Sequence, residues 1–179
     1  MSPTRRNLIA VCLLFSFASL AFSGFLLLRR FAIVPFDARF MPQAQAEVLP
    51  RETLPTQLVL PDQRIDLPII PAQIQNQEWQ LSNHGISLLQ TSLPASSSGL
   101  IMYGHNWRSL LSGLNNVKIG EKINLIYPDG NVAQYTIQSI LVVEPNRLDV
   151  LNLATPNTLL LYTCTGFLDS ERLVVLATK

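Results

Sequence analysis

The chain has 179 residues, 48% of them hydrophobic and 14% charged, and a net charge of +1. Soluble domains usually carry about 25% charged residues, so this balance is too apolar for an ordinary cytosolic protein. The aliphatic content excludes disorder as the main state, and the lack of a basic excess excludes nucleic acid as the expected partner. Two cysteines are too few for a disulfide scaffold or a cysteine-rich zinc site.

The apolar excess lies at the N-terminal end. Residues 7–28 form an uncharged run of 22 residues, flanked by Arg5, Arg6, Arg29 and Arg30. At about 1.5 Å per residue such a run crosses a hydrocarbon core of about 30 Å. A cleaved signal peptide has a shorter apolar region, of about 7–15 residues, followed closely by a small-residue site. Here Ala44-Gln45-Ala46 lies well beyond the run. The expectation is a retained single-pass anchor over 7–28, a cytoplasmic tail at 1–6 and the remainder outside. Residues 29–56 hold Pro35, Pro42, Pro50 and Pro55 without apolar periodicity, and read as a linker. Residues 31–179 contain nine basic and all twelve acidic residues, so a polybasic, lipid-hugging domain is not indicated.

Residues 57–179 read as one mostly β domain. Gln57–Leu60 and Arg64–Ile70 are short β-rich runs; Pro61, Pro68 and Pro71 suggest edge strands or bulges there. Gly99–Tyr103 is a short apolar strand, and Trp107–Leu114 suits a short helix. Glu121–Tyr127 alternates, Pro128-Asp129-Gly130 turns, and Asn131–Val143 returns as a long strand with a bulge expected near Ser139-Ile140. Pro145–Leu153 suits a helical turn. Thr158–Thr163 is fully apolar and therefore central, and Arg172–Ala177 is the last strand. Short strands at regular turn spacing point to a closed barrel or a sandwich.

Cys12 lies inside the apolar run and is most simply a small hydrophobe there. Cys164 ends an apolar strand where the polar stretch Thr165–Ser170 begins, a place where a scaffold presents a reactive group. A thiol needs a partner to act as a nucleophile near neutral pH. The candidate bases are His84, in a turn-like polar stretch, and His105, at the exit of Gly99–Tyr103. Arg172 opens the last strand; in a hairpin its guanidinium reaches the space beside the sulfur and stabilises an oxyanion there. The bland readings are a buried core cysteine, a turn histidine and a solvated hairpin arginine.

Leu160-Leu161-Tyr162-Thr163-Cys164 resembles the TLxTC signature of the sortase family, with Leu160 in place of its leading threonine. Cys164 through Glu171-Arg172-Leu173-Val174-Val175 resembles the family's stretch from catalytic cysteine to catalytic arginine. Tyr103-Gly104-His105-Asn106 is similar to its glycine-histidine motif, and Tyr127–Gly130 and Val143–Pro145 fall where related sequences place theirs. The resemblance covers residues 57–179 and is nearest to the class D, E or F groups. It implies a closed sortase-like β-barrel with short helices, preceded by one N-terminal transmembrane helix. It also implies a cysteine transpeptidase at the bacterial plasma membrane, with its catalytic domain extracellular. Cys164 is then the nucleophile, His105 the acid and base, and Arg172 the oxyanion or backbone donor, with Thr163 and Asn106 as substrate-binding or supporting residues. The implied partners are surface proteins with an LPxTG-like C-terminal sorting signal and an amine acceptor such as a peptidoglycan precursor. No metal or organic cofactor is implied. The rival is a catalytically inactive, membrane-anchored β-barrel used for binding or assembly. An L,D-transpeptidase arrangement fails, because His105 and Cys164 are 59 positions apart.

Overall fold

The computed structural model describes residues 12–25, 54–75, 78–90 and 99–179. They belong to two compact units, Met1–Pro35 and Phe36–Lys179. In the first, residues 12–25 are helical, and Leu13, Phe15, Phe17, Leu20, Phe22 and Phe25 are exposed. This stretch is about 21 Å long. Among the described residues no helix is long and apolar enough to cross a membrane. The ends of the expected anchor at 7–28, the tail at 1–6 and most of the linker at 29–56 lie outside the described residues.

Among the described residues, the second unit has ten strands. In chain order they are β1 (Gln57–Leu60), β2 (Ile65–Ala72), β3 (Ile74–Gln75), β4 (Glu78–Trp79), β5 (Ile86–Leu89), β6 (Leu100–Gly104), β7 (Lys122–Ile126), β8 (Val132–Val143), β9 (Thr158–Thr165) and β10 (Glu171–Thr178). Eight close into a barrel in the order β1-β2-β5-β6-β9-β10-β8-β7, while β3 and β4 pair separately. The β2–β5 and β6–β9 pairs are parallel and the other barrel pairs antiparallel. A mostly β, closed barrel is therefore the observed class.

β2 is not the edge strand that its prolines suggest. Ile65–Pro68 pair with β1, and Ile69–Ala72 pair with β5. Ile69 N donates to Thr56 O at 2.8 Å, on the β1 side. Pro71, two residues on, faces the same way but past the end of β1, so its missing N–H costs no ladder bond. β5 itself is not evident from sequence; all four of its residues, Ser87 included, are buried, so no alternation marks it. The bulge falls one residue before the expected site. Leu176 faces Ser139 and Ala177 faces Ile137, leaving Gln138 as the extra residue. The expected helices are 3₁₀ turns, Ser112–Asn116 and Leu148–Leu153.

Alternation along β9 explains its unbroken apolar run. Leu159 and Leu161 join the barrel interior with Met102, Leu173, Val175 and Ala177. Leu160 and Tyr162 instead join an outer cluster with Ile101, Tyr103, Val150, Leu151 and Val174. Both faces of β9 are covered, as for a central strand. The β6–β7 connection plugs one barrel end with Leu110, Leu111, Leu114 and Val117, all part of the interior cluster.

Candidate active site

The outward parity of β9 places Cys164 on the same face as Leu160 and Tyr162. In the β9–β10 hairpin Arg172 is the direct cross-strand partner of Cys164. On the other side, the parallel β6–β9 ladder ends at Gly104 opposite Thr163, and the next residues in each chain are His105 and Cys164. The thiol thus stands between a histidine-bearing strand exit and an arginine-bearing strand start, at one end of the outer apolar face. His84 occupies the exposed bend before β5, and its N–H donates to Ser82 Oγ at 3.1 Å.

Gly104 does not serve the tight turn that its position before His105 suggests. A Cβ there would lie 3.1 Å from Leu111 Cδ1, so the glycine makes room for the barrel plug. Thr163 points inward; its Oγ1 donates to Gly104 O at 2.8 Å and ties the two strand ends together. Asn106 Oδ1 accepts from Asn115 Nδ2 at 3.0 Å.

The loop between Cys164 and Arg172 is tight. Leu168 (φ 54°) and Asp169 (φ 59°) are both left-handed, a conformation that costs non-glycine residues on the order of 1 kcal/mol each. Arg172 Nη1 holds this turn by donating to Asp169 O and Glu171 O, both at 2.9 Å. The buried guanidinium bonds to carbonyl oxygens, not to the carboxylates expected of a solvated hairpin charge. It also interacts with the phenol of Tyr162, which burial pushes up to about 12.

Burial lowers the His105 imidazole pKa, with Asp169 acting against it. Burial raises the Cys164 thiol pKa, Arg172 opposes that shift and Asp169 adds to it. Both groups are therefore mainly neutral between their two titrations, and a thiolate–imidazolium pair is the minor form. Such a site can carry nucleophilic acyl chemistry with proton exchange between sulfur and ring.

Two neighbours have no sequence signal of their own. Trp107 stacks on the His105 ring with centroids 4.3 Å apart and planes 6° apart. Asp169 faces both titrating groups electrostatically. Beside Cys164, the outer cluster contains the buried Tyr103 and Tyr162, with Trp79 packed edge-on to Tyr103 at 4.4 Å. Among the described residues no group of three or more His, Cys, Asp or Glu side chains could hold a metal ion. A separate cavity of about 190 Å³ is lined by Gln63, Arg64, Asp66, Arg108 and Ser112 among others, and by none of the three catalytic candidates.

A family model described as a sortase domain matches residues 58–179. Among solved structures, sortase C-1 from Actinomyces oris matches at 25% identity and a TM-score of 0.60, over 80% of this chain and 86% of that one. Sortase A from Corynebacterium diphtheriae matches at 26% identity and a TM-score of 0.57, over 71% of this chain and 60% of that one. A lid mutant of the same enzyme matches at 24% and 0.56, over 76% and 72% of the two chains. No curated protein matches.

Proposed function

Because the chain belongs to the sortase family, we propose that it cleaves an LPxTG-like C-terminal sorting signal and passes the protein to an amine at the cell envelope. The observation that carries this reading is the strand register: Arg172 is the cross-strand partner of Cys164, and the β6–β9 ladder ends one residue before His105 and Cys164.

The Cys164 proton passes to His105, and the sulfur adds to the carbonyl carbon before the scissile bond. Arg172 donates to the carbonyl oxygen as negative charge develops there. The C–N bond then breaks as His105 returns its proton to the departing amine, leaving a thioester on Cys164. The acceptor amine adds to that thioester, His105 takes the amine's proton, and the sulfur leaves as the thiolate. Water in place of the amine gives hydrolysis. Thr163 supports the site by tying the ends of β6 and β9 together, and Asn106 by its bond to Asn115.

The anchor at 7–28 belongs to the same proposal. The uncharged run and the exposed apolar helix at 12–25 support a single-pass location in the bacterial plasma membrane, with the catalytic unit outside. The compact barrel supports kinship with the class D, E and F groups; the solved relatives above are sortases of A and C type.

The test is product formation. Full-length protein incubated with LPxTG-like peptides and a small amine should yield a new peptide–amine conjugate, and Cys164→Ala should yield none. A folded wild-type protein that forms neither conjugate nor hydrolysis product across the peptide set would favour the inactive binding module.

A further inference from the structure

We propose that Asn115 is a positioning residue that locks the segment behind His105 to the segment behind Cys164; the inference rests on the transpeptidase reading of that pair. Backbone pairing between β6 and β9 stops at Gly104 and Thr163, one residue short of both reactive groups. From there the ladder no longer sets the spacing between ring and sulfur. The residues that follow are Asn106 after His105 and Thr165 after Cys164, and Thr165 has the inward parity of Thr163.

Both are bonded by one side chain. Asn115 lies on the 3₁₀ turn Ser112–Asn116 of the barrel plug. Its Oδ1 accepts from Thr165 Oγ1 at 2.7 Å. Its Nδ2 donates to Asn106 Oδ1 at 3.0 Å and to Ser112 O at 3.0 Å. A carboxamide supplies one acceptor and two donors, and all three are engaged here. The Ser112 bond fixes the side chain to its own turn, which Leu111 and Leu114 seat in the barrel interior. Asn115, itself exposed to solvent, thus refers both reactive segments to a turn seated in the core. Near-attack geometry is sensitive to displacements of this kind.

The experiment combines turnover with a substrate-free measure of coupling in the full-length protein. Asn115→Leu removes the bonds at similar volume, and Thr165→Val removes one arm. Each should lower kcat about tenfold, with KM little changed and the near-UV circular dichroism preserved. The double variant should be no slower than Asn115→Leu alone, because both act through one bond. Losses that multiply, or a loss fully accounted for by unfolded protein, would overturn the proposal. The second arm reads the change that His105→Ala makes in the alkylation rate of Cys164 by iodoacetamide. That change should shrink several-fold in the Asn115→Leu background. An equal change in both backgrounds, or no change in either, would also overturn it. Absent peptide turnover with this coupling intact would count against the transpeptidase reading alone and leave the role of Asn115 standing.

Discussion

The candidate catalytic residues are defined as much by what holds them as by what they are. Arg172 uses Nη1 to bind two carbonyls of a turn that contains two left-handed non-glycine residues. A lysine offers a point charge in place of a planar fork, and cannot hold the turn and reach the carbonyl oxygen together. Arg172→Lys should therefore cost about 100-fold or more in kcat/KM in peptide turnover; near-normal rates would reduce Arg172 to a hairpin brace. The pH dependence follows from the directions of the two shifts. Burial disfavours imidazolium, so His105 loses its proton below the ordinary imidazole range. Burial disfavours thiolate, so Cys164 loses its proton above the ordinary thiol range. Below the first titration the ring is charged and cannot take the thiol proton; above the second no proton remains for the leaving amine. The profile of kcat/KM against pH should be a broad bell with its limbs outside the two ordinary values. A narrow bell with both limbs between them would contradict these environments. Cys164, His105 and Arg172 could be singled out as candidates in the sequence because each sits at the end of an apolar run, and the structure places Arg172 across from Cys164. Trp107, Asp169 and Asn115 were not, because their roles depend on loop geometry, and Asn115 reaches Thr165 across 50 positions.

At the scale of elements, the barrel plug links stability to the site. Leu111 is fully buried and packs where Gly104 has no side chain, one residue from His105. Leu111→Ala should cost about 2–5 kcal/mol in urea denaturation, and activity should fall in the remaining folded protein as His105 loses its backing. A loss under about 1 kcal/mol would mean that the plug repacks freely. The long alternating or fully apolar strands, β7, β8, β9 and β10, were legible because their patterns persist over enough residues to separate period 2 from chance. β5 and the handover of β2 from β1 to β5 were not. β5 is buried on both faces and so shows no alternation, and proline signals a missing donor without saying which neighbour ends there.

At the scale of the molecule, the strands and both apolar clusters among the described residues lie within Phe36–Lys179. That unit produced alone should unfold cooperatively at the same midpoint as the full chain, within a few degrees, and remain in solution. The full chain should instead sediment with membranes. A unit that stays unfolded without residues 1–35, or a full chain that stays in solution, would contradict the two-part organisation. Composition located the apolar excess at one end. It left barrel and sandwich open, because closure depends on which strands pair, here through the parallel β2–β5 and β6–β9 contacts that no local pattern encodes.

The central claim is that Cys164 carries the acyl group between donor and acceptor. Intact-mass measurement of the full-length protein, mixed with an LPxTG-like peptide in the absence of added amine, tests it directly. The account predicts a mass increase equal to the peptide's acyl portion, located on Cys164, removed by hydroxylamine and absent in Cys164→Ala. Peptide cleavage with no adduct on Cys164, or cleavage that persists in Cys164→Ala, would contradict it.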